Sequence, residues 1–380
     1  MRLDRHSKLA RAGIAGDDRV GPLACAHWPR AYLPRVALGA PHAPRAAHRA
    51  LPEHPSTAHR RSATLARVRI AVLGAGGVGG FVAAALSRAN EDVLVVARES
   101  TAAAIAQDGI GVQSALLGDF SVRPDATALL DTDSDVLLIA TKAIGLRPAL
   151  ERIAVLPGLV VPLLNGIEHM ALLRDRFGAD RVAAGVIRID SDRPRTGRIV
   201  QISPTARIDL AADDAKLRGP LGATGAVLEH ADLPVRIGDS EAQILWSKLV
   251  RLNALACTTS ASERTIGSIR SDPVWRGLLG ACVRETAAVA AAEGAAIDPS
   301  VPLTELEQAH PELESSMSRD IAAGREPELD AIVGAVLRAA ARHRLSCPTV
   351  ARLSAQIAAR AGIPPPALDA NSGVAPRPAA

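Results

Sequence analysis

Four short runs of Val, Ile and Leu stand out between Arg69 and about Asp190: "RIAVL", "DVLVVA", "DVLLIAT" and "LVVPLL". Each is continuously apolar rather than alternating, and stretches of helical spacing separate them. Strands of that kind are covered on both faces, so the pattern predicts a parallel sheet between layers of helices. Further strands are expected over Arg181–Leu210, in "RVAAGVIRID", "GRIVQIS" and "ARIDL", extending the same sheet. From Glu241 to about Gly362 the apolar residues recur every three or four positions, as in "EAQILWSKLVRLNALA", "PVWRGLLGACVRETAAVAAAEG" and "PELDAIVGAVLRAAARHR". That period predicts helices alone. The expected architecture is α/β over 68–238, then all-α over 239–362.

The two ends have no such period. Residues 1–67 interleave Pro, Arg, His and Ala, and prolines every few residues stop helices and central strands. The segment is expected to be either disordered or text from a start codon set too far upstream. An Arg-rich, acid-poor composition also suits an organelle transit peptide. A disordered tail is expected over 363–380.

Charge changes the picture only once it is divided. The net charge is +4, but residues 1–67 hold twelve Lys and Arg against four Asp and Glu. The remainder is therefore acidic, which argues against a nucleic-acid surface. No apolar stretch approaches the roughly 18–20 residues needed to cross a bilayer, so a soluble, cytoplasmic protein is expected. Cys25, Cys257, Cys282 and Cys347 are scattered without metal-ligand spacing and fit reduced thiols, the last three buried as small apolar residues.

"GAGGVG" matches G-x-G-x-x-G at Gly74, Gly76 and Gly79. The spacing alone is weak, but it follows a buried strand, opens a helix, and a second strand arrives at the interval of a dinucleotide-binding unit. Gly74 makes the tight turn, Gly76 admits the pyrophosphate to the backbone, and Gly79 packs helix on strand. Ala75, Gly77 and Val78 complete the loop, whose N–H groups face the phosphates. The first domain is thus expected to be Rossmann-type. At the end of the second strand stands Arg98, where an acid would bind the ribose hydroxyls of NAD. A guanidinium pairs with the 2′-phosphate of NADP, so NADPH is the expected cofactor.

Candidate chemistry follows at later strand ends. Thr141 and Lys142 lie just past one strand, and Asn165–Gly166 past the next, on the edge where open α/β sheets bind ligands. Asn-Gly is also an ordinary turn dipeptide. Lys248 interrupts an apolar helical segment; it either snorkels to solvent or, partly buried, gives a proton to a substrate carbonyl. "SSMSRDIAAGREPELDAIVG" gathers Ser315, Ser316, Asp320, Glu326 and Glu328. Either glutamate suits a helix first turn or a substrate hydroxyl.

Taken in order, "VLGAGGVGG", Arg98, "TKA", "NGIEH", "WSKL", "SSMSRD" and "PELDAIVG" make the sequence resemble the ketopantoate reductase (2-dehydropantoate 2-reductase) family over about Val68–Gly362. The resemblance implies NADPH-dependent reduction of ketopantoate to pantoate, on the way to pantothenate and coenzyme A, in a cleft between a Rossmann domain and a helical one. It implies Lys248 as general acid and Glu328 as the partner of the substrate hydroxyl. It further implies Ser316 at the substrate carboxylate, Asn165 between nicotinamide and substrate, and Lys142 and Arg98 on the cofactor.

Three positions depart from the family. Asparagines four and eight residues after the lysine would share its helical face, but here stand Leu252 and Ala256. Asn253 is one residue late, about 100° around the helix. Val333 replaces a further asparagine before Gly334. The substrate pocket is therefore expected to be drier, which leaves a less polar 2-oxo acid as an alternative substrate. Related β-hydroxy-acid or opine-type dehydrogenases belong to the same class of reading. A non-catalytic NADPH sensor would share the glycine loop but has no need of Lys248, Ser316 and Glu328 together. The Ala-rich helices leave a homodimer face open, or pack within one chain.

Overall fold

A computed structural model describes residues 68–368; the leader 1–67, Cys25 within it, and residues 369–380 lie outside the described residues. The chain opens with β1 (Arg69–Leu73), α1 (Gly77–Arg88), β2 (Asp92–Val96) and α2 (Glu99–Asp108). Three short strands follow, β3 (Ile110–Ser114), β4 (Phe120–Val122) and β5 (Asp125–Thr127), then β6 (Val136–Ile139), α3 (Leu146–Leu150), β7 (Leu159–Pro162) and α4 (His169–Phe177). Next come β8 (Ala184–Arg188), β9 (Ser191–Arg195), β10 (Arg198–Gln201), β11 (Arg207–Ala211), α5 (Ala215–His230) and β12 (Val235–Gly238). The rest is helical: α6 (Glu241–Ser262), α7 (Ile266–Ser271), α8 (Pro273–Ala292), α9 (Ser300–Gln308), α10 (Ser316–Ala322), a π turn (Asp330–Gly334), α11 (Ala335–Arg342) and α12 (Pro348–Ala361).

The first sheet runs β5-β2-β1-β6-β7 with every pairing parallel. Numbered among themselves, these five strands lie in the order 3-2-1-4-5 of a doubly wound fold, whose direction of winding reverses between β1 and β6. Ligands bind beyond the strand ends at such a reversal. Successive side chains point to opposite faces, so Ile70, Val72, Leu138 and Val161 enter one core, while Ala71, Leu73, Leu137, Ile139 and Val160 enter another. α1 and α5 cover the first face; α3 and α4 cover the second.

The later strands do not extend this sheet as expected. β10 pairs with β3 and β9 in a separate sheet of order β4-β3-β10-β9, and β8 joins β11 and β12 in a third. Val182, just before β8, forms an isolated parallel bridge with Val160 of β7. For β10 the physical reason is visible in burial: β1, β6 and β7 are apolar on both faces, whereas β10 is buried only at alternate residues; β8 and β11 are buried on both faces but pair antiparallel with each other. A strand with one wet face cannot sit inside a doubly covered sheet. β9, which contains Pro194, occupies an edge, where a missing N–H costs no ladder bond.

α6 joins the sheet to the helical part. Ser240 caps it by accepting from the Gln243 N–H at 3.3 Å. Its first turn sends Ile244 and Leu245 against the sheet, while Trp246, Leu249 and Val250 begin the helical core. α8 starts at an Asp272 cap followed by Pro273, a helix-start pair. The three described cysteines are buried in this second core. Of the expected tail, residues 363–368 are irregular, and the carbonyl of Ala367 accepts from Arg338 at 2.9 Å.

Candidate active site

The glycine loop leaves β1 at Gly74 and enters α1 at Gly77. A Cβ on Gly79 would lie 1.9 Å from the Gly74 carbonyl oxygen, so only glycine lets the helix sit this close to the strand. A Cβ on Gly76 would meet nothing within 4 Å, which leaves open space beside that backbone. No side chain caps α1 at Gly76, so its first N–H groups are left for an anion. Two buried hydroxyls without a hydrogen-bond partner, on Thr141 and Ser191, flank the loop against Gly74 and Gly77. These features fit a dinucleotide: an uncapped helix start, an open cradle and unsatisfied donors. Arg98 stands two residues past the end of β2, exposed at the start of α2, on the same sheet edge.

Beyond β6 and β7 the chain closes on itself. Glu328, 6% exposed, sends one carboxylate oxygen to the Ala143 N–H and the other to the Asn165 amide, each at 2.9 Å. Gly166 makes this possible: φ is +80°, and a Cβ there would stand 2.2 Å from the Ala331 carbonyl of the π turn. The Asn-Gly pair is therefore both a turn and a contact to the glutamate. Glu326 is exposed, so the structure separates the two glutamates that sequence left together.

Lys248 reaches the same corner from α6, its ammonium donating to the Leu164 carbonyl at 3.3 Å. Burial, and then the Arg188 cation, pull it down from its ordinary value to about 8, against the opposing pull of Glu328 and Asp209. That is the direction a proton donor working near neutral pH requires. Lys142 instead pairs with Asp320 of α10 at 2.7 Å, and Asp320 also holds Arg325 at 2.8 Å. Ser316 opens α10 and is exposed, while Ser315 is buried, capping α10 and bonded to Thr259 at 2.8 Å.

The three departures from the family also have places. Leu252 is half-buried one turn beyond Lys248, and Ala256 and Val333 are fully buried. Asn253 is fully buried too, its amide donating to Thr286 of α8 at 2.9 Å. It serves the helical core and supplies no amide to the lysine's face.

Sequence reading missed four residues around Lys248. Arg188 ends β8, bonded to Asp209 of β11 and to the Ser247 hydroxyl. His169 opens α4, is 7% exposed, and its Nε2 is buried without a partner. Burial and the neighbouring lysine hold it near 3, hence neutral. Composition carried a usable signal for the lysines. The chain has four, Lys8, Lys142, Lys216 and Lys248, among 44 Lys and Arg. Arginine holds its proton too tightly to donate it, and two of the four lysines stand at this edge.

An open glycine loop after β1, with a desolvated lysine, a carboxylate and an amide gathered beyond β6 and β7, suits a dinucleotide-dependent oxidoreductase. The chain belongs to the ketopantoate reductase family. The profile of Ketopantoate reductase PanE/ApbA matches residues 70–213, and that of its C-terminal part matches residues 242–361. A 2-dehydropantoate 2-reductase of Caulobacter vibrioides is 27% identical over 302 residues, covering 77% of this chain and 99% of its own. The structure of 2-dehydropantoate 2-reductase from Geobacter metallireducens superposes with TM-score 0.71 at 26% identity, over 76% of this chain and 99% of that one. A D-mandelate dehydrogenase solved with NADH and anilino(oxo)acetate shares the fold, with TM-score 0.72 at 18% identity over 78% and 99% of the two chains. Among the described residues, no helix is long and apolar enough to cross a membrane.

Proposed function

We propose that the protein reduces the keto group of a 2-oxo acid with NADPH, and that ketopantoate, giving pantoate, is its substrate, in the cytoplasm and on the route to pantothenate and coenzyme A. The observation that carries this reading is the gathering beyond β6 and β7 of Glu328, bonded to Asn165, and of Lys248, bonded to the carbonyl of the preceding Leu164. When bound, the reduced nicotinamide supplies the hydride for the carbonyl carbon. Lys248 gives its proton to the carbonyl oxygen and recovers one from solvent. Both oxygens of Glu328 are already engaged, but each keeps a lone pair to accept from a substrate hydroxyl. Ser316 takes the substrate carboxylate, and Lys142, released from Asp320, joins the glycine loop and Asn165 on the cofactor.

Arg98 supports NADPH over NADH, since an exposed guanidinium just past the second strand can pair with a 2′-phosphate where an acid would repel it. Arg98→Ala is expected to raise KM for NADPH about tenfold, or ~1.4 kcal/mol, while leaving KM for NADH nearly unchanged. Equal effects on both cofactors would remove Arg98 from this role.

A second reading rests on the half-buried Leu252 and the diversion of Asn253 into the core. With those amides gone, a 2-oxo acid with an apolar side chain fits better than a hydroxylated one. One assay separates the two: loss of reduced-nicotinamide absorbance on the full chain, with ketopantoate and several apolar 2-oxo acids in parallel. Efficient, saturable turnover of ketopantoate supports the first reading. Turnover of the apolar acids alone keeps the chemistry and replaces the substrate. Tight NADPH binding with no turnover of any acid would sink both.

A further inference from the structure

Arg188 and Arg207 face each other directly across β8 and β11, and Asp209 lies two residues further along, on the face of Arg207. Like charges opposite one another in a sheet are unfavourable. Here Arg188 ends β8 and Arg207 begins β11, whose Ile208 to Ala211 are all buried. Asp209 is 3% exposed and receives both guanidiniums, Arg188 in a close contact and Arg207 at 3.2 Å. Apolar residues would fill such a position at less cost in folding, so the cluster calls for another explanation.

That explanation lies in what the cluster touches. The other terminal nitrogen of Arg188 donates to the Ser247 hydroxyl at 3.1 Å, and Ser247 immediately precedes Lys248. Its Nε is buried without a partner. We propose that Arg188 is a positioning residue for Lys248: by occupying Asp209 and gripping Ser247, it stops the carboxylate from capturing the lysine and leaves the ammonium free for substrate. The inference rests on the reading of Lys248 as proton donor.

The charge balance around the lysine is then Arg188 against Asp209 and Glu328, with neutral His169 opposite. Around Arg188 it is Arg207 and Arg251 against Asp209 and Glu305, and Arg251 is itself paired with Glu305 at 3.2 Å. Without Arg188, the lysine would face two carboxylates and keep its proton more tightly. A lysine locked in an ion pair donates poorly.

The test is the titration of Lys248 in the full chain, read by NMR on isotope-labelled lysine. Four lysines give few signals, and Lys248→Ala identifies the relevant one. Arg188→Met should raise its midpoint by about one pH unit or more. Asp209→Asn should lower it, and Arg188→Lys, which keeps the charge, should move it by a few tenths at most. If Arg188→Met fails to fold, the R188M/D209N pair removes both buried charges, and its midpoint should return close to that of the unaltered chain. Unmoved midpoints in folded Arg188→Met, or in Asp209→Asn alone, would overturn the proposal. The titration needs no substrate, so it stands apart from any failure of the reductase reading. Where turnover is found, the alkaline limb of kcat/KM should shift with the midpoint, which a purely structural role for Arg188 would not produce.

Discussion

Lys248→Ala is expected to lower kcat/KM for 2-oxo acid reduction by about two to four orders of magnitude, the range in which a positioned general acid contributes. NADPH affinity should stay within a few-fold, because the glycine loop and Arg98 lie on elements that do not depend on this side chain. Stopped-flow reduction and a fluorescence titration with NADPH would measure the two quantities on one preparation. Lys248→Arg should not restore the rate. A guanidinium would keep the charge and reach a similar distance, but it does not give up its proton near neutral pH. Near-normal turnover in either variant would mean that the proton comes from elsewhere, and the hydroxyl partner Glu328 would have to be reconsidered with it. For the unaltered chain, kcat/KM of the reduction should fall as pH rises through about 8, where Lys248 loses its proton.

The second large effect concerns two glycines three residues apart that should fail in different ways. In Gly79→Ala the new methyl would lie 1.9 Å from the Gly74 carbonyl oxygen and 3.0 Å from Ala140 Cβ. Backbone on one side and a packed sheet on the other leave no flexible neighbour to give way. α1 must lift from β1, at a cost of about 3 kcal/mol, and the nucleotide cradle should be lost with it. Gly76→Ala meets nothing within 4 Å, so its melting temperature should match that of the unaltered chain. Its NADPH affinity should nevertheless drop about tenfold or more, since the methyl fills the approach to the phosphates. Thermal melting and NADPH binding, measured on both variants, separate packing from ligand contact. Equal melting temperatures for both, with NADPH still bound, would contradict the geometry of the loop.

Four strands of the parallel sheet were legible as continuous apolar runs, and a strand such as "LVVPLL" has no polar residue to disguise it; the fifth, the half-wet edge strand β5, carried no such run. The glycine loop was legible for a related reason: its function depends on local spacing. The second sheet was not, because β3, β4, β9 and β10 are short and half-wet, and its two local pairs are joined only by the long-range pairing of β3 with β10. Among site residues, Lys248 announced itself as a charge in an apolar helix. Glu328 could not be told from Glu326, since the choice depends on Gly166 bringing Asn165 to the π turn. Arg188 and Asp209 were invisible until the β8–β11 register set them side by side. Asp209 does interrupt an apolar strand, "ARIDL", and a buried acid in such a run is a signal that deserved a question.

The packing that dries the lysine also sets a boundary for the molecule as a whole. His169 is folded into this wall as an uncharged ring near 3, against about 6.5 for a free histidine. Between those values the unfolded chain binds a proton that the folded chain refuses, so unfolding is favoured increasingly as pH falls from about 6.5 toward 3. The slope from this one ring is about 1.4 kcal/mol per pH unit, and above 6.5 it costs nothing. A single buried imidazole thus gives the fold an acid-side limit: its contribution to stability is complete above about pH 6.5 and shrinks steadily below it.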